Sequence, residues 1–357
     1  MNGRKIAHEG IDDAAALGAI LEEGLREDLY TGAAAAIGTG NGVVWKTAIG
    51  DTGGGDPAPV TETTRFDAAS VTKAVATTSV LLRFLDTGRL SLGAPLAVYL
   101  PRFEGTSRGE VPLWRLMTHT AGLEPYYYED TWNDRTAALE DIFTADLLSS
   151  DPGQSFTYSC LNFVHLAAVA RAVGGADLGA LAERLVFDPI GMSETTIGPL
   201  ESINNVVATY DHERDDRELV GEIHDPIARV MDGESGNAGL FTTLRDLICF
   251  GEAILESGGT DRLFSNATAR EMRRDWLAGE HRPHGLGWRL AHECQPAPNW
   301  SPTSFGHTGF TGTALWIDPM ADRFAILLTN EVYCGKERGF PHLRERFYSQ
   351  VAACSWD

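Results

Sequence analysis

The sequence predicts an α+β protein in which segments from both ends of the chain share one antiparallel sheet around a helical middle. Three observations carry this expectation. Strand-like apolar runs cluster at residues 33–49 and return from about residue 286 onward, while helical signals dominate between them. In AAAAIGTGNGVVWKTAI, Asn41-Gly42 lies between two apolar runs, which predicts a hairpin with a type I′ turn and antiparallel first strands. The third is the last stretch, near residues 341–353, which reads as an amphipathic helix able to cover a sheet face.

Taken in chain order, GDTGGGDPAP (50–59) is a loop, and TETTRFDAA leads into a helix from about Ser70 to Thr87 closed by Gly88. Val71, Val75, Leu82 and Leu85 recur at helical spacing toward a core, whereas Ser70, Lys73 and Thr77 share another face. VPLWRLM begins a helix at Pro112, LNFVHLAAVARAVGG ends one in two glycines, and ADLGALAERLVF runs up to Pro189. GLGWRLA, GTALWIDP and RFAILLTNEV read as strands. The expected division is a discontinuous α/β domain of residues 1–75 and 240–357, and a mainly α-helical domain of residues 76–239, with the active site in the cleft between them. No repeat, heptad run or low-complexity tract interrupts this order.

Composition narrows the function. A chain of 357 residues with 43% hydrophobic content can bury a sizeable core. Its net charge of −21 excludes a nucleic-acid partner, because phosphate binding needs clustered Lys and Arg, and it disfavours an anionic membrane. The acidic, lysine-poor balance fits either life in high salt or a GC-rich genome. Acidic residues interrupt MNGRKIAHEGIDDAAALGAI before any apolar run of signal-peptide length, and no window approaches the roughly 18 apolar residues of a membrane span. Cysteines 160, 249, 294, 334 and 354 are odd in number and scattered, as expected in a reducing compartment. A soluble, cytoplasmic protein is the expectation.

FDAASVTKAVATT (66–78) carries the chemistry. The chain has four lysines against 25 arginines, and Lys73 stands three residues after Ser70 among small apolar neighbours. A serine hydroxyl needs a base to become a nucleophile. On a helix the i+3 side chain lies about 5–6 Å away at Cβ, so the lysine amine can return to the serine oxygen. Desolvation disfavours the charged ammonium and would leave a neutral amine as base. Tyr158 in QSFTYSCLNF stands in a loop before a helix, and His307-Thr308-Gly309 enter a strand in FGHTGFTGTALWIDP.

Ser70-Val71-Thr72-Lys73, Tyr158-Ser159-Cys160 and His307-Thr308-Gly309 resemble the three motifs of the penicillin-recognising serine hydrolases. The resembling branch holds class C β-lactamases, D-alanyl-D-alanine peptidases and related carboxylesterases. LWRLMTHTAGL and SGNAGLFTTLRDL are similar to that branch too, so the likeness spans roughly residues 25–350. It implies the β-lactamase/DD-peptidase fold: an antiparallel sheet flanked by the terminal helices, plus an all-α domain. It also implies Ser70 as the acylated nucleophile, with Lys73 and Tyr158 sharing the proton traffic, either of them being the base. The backbone N–H groups of Ser70 and Phe310 would form the oxyanion hole. Cys160, His307, Thr308 and Gly309 would contact substrate, with Gly309 leaving room for it. No metal or organic cofactor is implied.

Two departures bear on the substrate. Where β-lactamases and peptidases of this fold usually carry Lys, this chain has His307, so a fixed counter-charge for a substrate carboxylate is expected to be missing. Where they carry Asn, it has Cys160; Asn162 is expected to point elsewhere. The favoured expectation is therefore a serine hydrolase acting on a small-molecule ester, less readily an amide. A β-lactamase, D-amino-acid peptidase or muropeptide amidase of the same fold, and a non-catalytic binding or scaffold member, are the alternatives.

Other motifs read as structural. Gly233-Glu234-Ser235-Gly236-Asn237 fails the Gly-x-Ser-x-Gly pattern at its last position and reads as a loop. His281, His284, His292 and Cys294 lack paired zinc-ligand spacing. His119 reads as a structural residue beside the cleft and His165 as a satisfied core histidine. Tyr126, Tyr127 and Tyr128 fit either an aromatic wall at the site mouth or ordinary surface packing. Cys160 reads as a packing residue before a redox-sensitive thiol.

Overall fold

The computed structural model describes residues 10–255, 263–291, 296–336 and 339–356. At its centre lies a six-stranded antiparallel sheet whose strands run, edge to edge, Gly42–Gly50, Gly32–Thr39, Arg323–Thr329, Ala314–Asp318, Phe305–Thr308 and Arg289–Leu290. Both ends of the chain therefore contribute, as expected. Strand Gly32–Thr39 (GAAAAIGT) is buried along its whole length because helices cover both sheet faces. Ala33, Ala35 and Ile37 pack among Leu17, Leu21, Phe347 and Val351 of the terminal helices Gly10–Arg26 and Phe340–Ala353. Ala34 and Ala36 face the opposite way, into the larger core with Leu244, Leu247 and Phe250 of helix Leu244–Leu255. Side chains alternate between faces along a strand, so a run of alanines lets both helical layers approach it.

The first hairpin corrects one expectation. Thr39 pairs with Gly42, so the loop is Gly40-Asn41 rather than Asn41-Gly42. Neither loop residue takes the positive φ that a type I′ turn requires, whereas Gly42, at φ +108°, does. The register then shifts, with Ile37 opposite Trp45 and Gly38 opposite Val43, leaving Val44 as the extra residue of a bulge.

The serine-bearing helix runs over residues 71–86 and ends before Gly88, at φ +69°. Its first part is not regular α-helix: Lys73–Thr78 form a π-helical turn that continues into α-helix Ser79–Asp86. Such wide turns are uncommon and recur at functional sites. The helical middle includes Leu113–Met117, Arg135–Thr144 and Cys160–Gly174, the last closed by Gly175 at φ +72°. The following helical run, Leu178–Ala182, a π-helical turn Glu183–Phe187 and Asp188–Ile190, continues past Pro189 and closes at Gly191, φ +81°.

The middle is also less purely helical than expected. Phe66–Asp67, Leu240–Thr242 and Thr196–Ile197 form a small sheet, and Thr209–Asp211 pairs with Arg217–Leu219. Strands of two or three residues carry no readable period; long-range pairing alone makes them. Among the described residues no single helix is long and apolar enough to cross a membrane.

Candidate active site

Ser70 stands at the start of its helix on a turn held from several sides. Asp67 is buried and accepts the Ala69 N–H at 2.8 Å through one carboxylate oxygen and the His224 N–H at 2.8 Å through the other. The hydroxyls of Thr311 and Thr313 donate to the carbonyls of Asp67 and Ala68 at 2.7 and 3.0 Å. Ala69 is thereby kept at φ +45°, in the left-handed region that a residue with a Cβ seldom adopts. The strand motif that follows His307 is thus strapped to the nucleophile turn. A Cβ on Gly309 would meet Thr313 Oγ1 at 2.1 Å and the Ala68 carbonyl at 2.5 Å. That contact requires glycine at 309 whatever approaches it from the cleft.

One turn along, Lys73 is fully buried and its Nζ donates to Ser70 Oγ at 3.0 Å, to the Asn237 carbonyl at 2.8 Å and to Cys160 Sγ at 3.6 Å. Thr77 Oγ1 donates to the Gly236 carbonyl at 2.7 Å. The rejected Gly-x-Ser-x-Gly near-match therefore forms the floor under the lysine. Burial pulls Lys73 down, but the ionised forms of Cys160 and Tyr158, with Asp225, outweigh it and place Lys73 above its ordinary value. The expectation of a neutral amine is corrected: an ammonium with three acceptors points at the serine.

Tyr158 lies beside this ammonium, which sits 5.1 Å from its ring centroid. Cys160 opens helix Cys160–Gly174, and burial raises its thiol above the usual value. Asn162 points away, as expected, with its Nδ2 3.4 Å from His119 Nδ1. His307 is 1% exposed, its Nδ1 donates to the Thr308 carbonyl at 2.9 Å, and burial followed by Arg289 and Lys73 keeps it neutral. A cation stands on the neighbouring strand. Arg289 pairs with Gly306, next to His307, and its guanidinium carbon lies 5.5 Å from the Tyr158 ring centroid.

A cavity of about 400 Å³ opens over the serine, lined by Ser70, Tyr126, Tyr158, Cys160, Asp225 and Phe310 among others. His307 is buried and Thr308 half-buried on the strand that ends beside Phe310, a residue of the cavity wall. Phe310 is 43% exposed at the mouth, and Lys336 Nζ rests 2.9 Å from its ring centroid. Among the described residues, no acceptor meets the backbone N–H of Ser70 or of Phe310. Of the three tyrosines, Tyr126 joins the cavity wall, Tyr127 donates to Asp141, and Tyr128 carries the Arg214 guanidinium on its face. His165 is buried, with Nδ1 on the Leu161 carbonyl at 2.8 Å. His281 Nε2 donates to the Gly153 carbonyl at 3.0 Å, whereas His292 and Cys294 lie outside the described residues. Asp67, His119, Asn237 and Arg289 escaped the sequence reading as site residues; FDAASVTK, MTHTAGL, SGNAGL and GLGWRL were their only signal.

Comparison with known proteins identifies the family and the fold. The family model described as Beta-lactamase matches residues 17–346. A protein of Salmonella typhi named "Putative D-alanyl-D-alanine carboxypeptidase" is 26% identical over 308 residues, covering 77% of this chain and 71% of that protein. Among solved structures, EstCE1, described as "a hydrolase with promiscuous acyltransferase activity", superposes with a TM-score of 0.78 at 21% identity, covering 95% of this chain and 98% of the other. A class C beta lactamase from Rhodobacter sphaeroides gives a TM-score of 0.74 at 19% identity, covering 95% and 99%. The D-alanine carboxypeptidase AmpC of Burkholderia cenocepacia gives 0.75 at 20% identity, covering 97% and 100%.

Proposed function

Because this chain belongs to the beta-lactamase family of serine hydrolases, we propose that it cleaves a small carboxylic ester through an acyl-enzyme on Ser70. The observation that carries the proposal is the hydrogen bond from the buried Lys73 ammonium to Ser70 Oγ, at the floor of an open cavity. A protonated lysine cannot accept the serine proton. Its charge instead stabilises the developing alkoxide and balances Tyr158, which enters the reaction as a phenolate and takes the serine proton as general base. Ser70 Oγ bonds to the substrate carbonyl carbon, and the carbonyl oxygen becomes an oxyanion received by the N–H groups of Ser70 and Phe310. The carbon–oxygen bond to the alcohol then breaks as Tyr158 returns its proton to the leaving oxygen. Water, deprotonated by Tyr158, repeats the sequence on the acyl-enzyme and frees Ser70. Cys160 and the aromatic groups Tyr126 and Phe310 bound the acyl group, while His307, Thr308 and Gly309 act from the segment that leads into Phe310. Ala69, Ser70 and Phe310, from the segments 1–75 and 240–357, face Tyr126, Tyr158 and Asp225, from 76–239, as the two sides of this cleft.

Ser70→Ala should abolish turnover of short p-nitrophenyl esters while leaving the melting temperature within a few degrees of wild type. Retained turnover in that variant sinks the proposal. A second reading, cleavage of a peptide ending in a free carboxylate, is favoured by one observation: the Arg289 guanidinium beside Tyr158 offers the cation such a substrate needs. The name carried by the Salmonella relative points the same way. Comparable rates on D-alanyl-D-alanine peptides and on esters, with peptide activity alone lost in Arg289→Met, would support this reading over the first.

A further inference from the structure

We infer that His119 is the positioning residue of the Tyr158 base, gripping its backbone on both sides and its ring on one face. The inference rests on the reading of Tyr158 as general base. His119 is 1% exposed and follows the helix Leu113–Met117. Its carbonyl accepts the Thr157 N–H at 2.9 Å, and its Nδ1 accepts the Ser159 N–H at 3.1 Å. The residues immediately before and after Tyr158 are thus tied to the backbone and side chain of a single residue. Between those two ties the imidazole packs on the phenol ring, with centroids 4.5 Å apart and planes 35° from parallel. Phe156 and Phe163 close on the imidazole from other sides, at 5.9 and 5.4 Å.

His119 also sits at φ +59°, in the left-handed region. A non-glycine residue stays there only when its surroundings over-determine it, and such strain gathers at functional sites. The two ties to the Tyr158 segment, with the His119 N–H on the Leu116 carbonyl at 3.4 Å, brace it there. Because Nδ1 accepts a backbone N–H, a neutral ring must carry its proton on Nε2. Burial, then His284, Lys73 and His307, all oppose a charge on it. His284 and His307 hold the opposite tautomer, since their Nδ1 atoms donate to the Gly285 and Thr308 carbonyls. Among the described residues, the three imidazoles therefore leave one donor, His119 Nε2, and two acceptors, His284 Nε2 and His307 Nε2, without a protein partner. Charging His119 would destroy its Nδ1 acceptor and release Ser159, so the grip works only with the neutral ring.

The test is a cycle on the full chain with p-nitrophenyl butyrate: wild type, His119→Ala, His119→Asn, Tyr158→Phe, and Tyr158→Phe with His119→Ala. Loss of a group that orients a catalytic partner costs on the order of 10–100-fold, so His119→Ala should lower kcat by that amount with KM within about threefold. His119→Asn keeps an acceptor for Ser159 and tolerates the left-handed backbone, and should recover most of the loss. In the Tyr158→Phe background, His119→Ala should cost less than about threefold, because the group it positions is gone. An unchanged kcat in His119→Ala, or an equal loss in both backgrounds, overturns the positioning role alone. Full activity in Tyr158→Phe overturns the base assignment beneath it. If His119→Ala does not fold, His119→Phe, which keeps the ring contact and lacks the acceptor, takes its place in the same cycle.

Discussion

The two ends of the cleft use hydrogen bonds of similar length for different purposes. At the inner end, Lys73, Thr72, Thr77 and Asp67 are all buried, and each is bonded to backbone or side chains that arrive from distant parts of the chain. At the outer rim, Arg214 meets Asp130 at 2.7 Å and Arg217 meets Glu222 at 2.7 Å, but the Asp130 side chain is 89% exposed and the other three lie between a third and a half exposed. Removing a buried partner strands a polar group at a cost of about 1–3 kcal/mol, whereas an exposed ion pair contributes about 0–1 kcal/mol. Distance alone does not distinguish the two; burial does. The inner end is built to hold one geometry, and the rim is free to vary with substrate.

The strongest test of that contrast is Lys73→Met, which fills the same space without charge. It should lower kcat/KM for a short ester by about 10³-fold or more, since it removes both the ammonium and its orientation of Ser70. A loss under tenfold would show that the inner geometry does not carry the reaction.

Acid provides the next test, because His119, His165, His284 and His307 are buried and neutral. Burial depresses His165 and His284 to about 3 and pushes the other two well below their usual value. In the unfolded chain these histidines take up protons near pH 6.5, while in the folded chain they do not. The unfolded state therefore binds more protons below pH 6.5, and stability falls as pH drops through that range. Each group contributes up to about 1.4 kcal/mol per pH unit. Urea midpoints measured between pH 7 and pH 5 should show this slope, and replacing His165 by Gln should reduce it by one proton's worth. A flat profile would mean that the histidines are charged in the fold.

Smaller effects follow. Gly309→Ala places a methyl against the Ala68 carbonyl and Thr313 Oγ1 and should destabilise by about 1–3 kcal/mol, with a parallel fall in kcat/KM as the Phe310 N–H shifts. Thermal melts alongside ester kinetics would separate the two effects. Arg214→Ala, at the rim, should change stability by less than about 0.5 kcal/mol. It should also leave activity on a short ester nearly unchanged; a tenfold loss would blur the contrast between the two ends.

Much of this was legible in the residues. Ser70 and Lys73 lie on one helix, so their i, i+3 spacing carries their contact with it, and the scarcity of lysine made the pair conspicuous. The strands near both termini announced themselves by apolar runs, and Gly88 and Gly175 marked helix ends through the positive φ they now show. What escaped depends on partners remote in sequence. The charge on Lys73 was misjudged because burial is only the first of its influences, and Cys160 and Tyr158 come from a segment more than 80 residues away. A second need for Gly309 went unseen because nothing local tells that the Ala68 carbonyl lies against it. The hairpin loop moved by one residue because a bulge, which sequence pattern does not encode, reset the register.

By itself the sequence determined the chemistry that one helix can hold, a nucleophile and a cation one turn apart, together with the α+β class. Both follow from local geometry: backbone periodicity sets which side chains share a face within a single element. Only the tertiary structure decided that the lysine stays charged, that Asn237 and Thr77 anchor its helix, that Arg289 stands where His307 lacks charge, and that His119 holds Tyr158. These are properties of surroundings, since electrostatic energy and hydrogen-bond satisfaction depend on what is excluded from water and on which distant backbone arrives there.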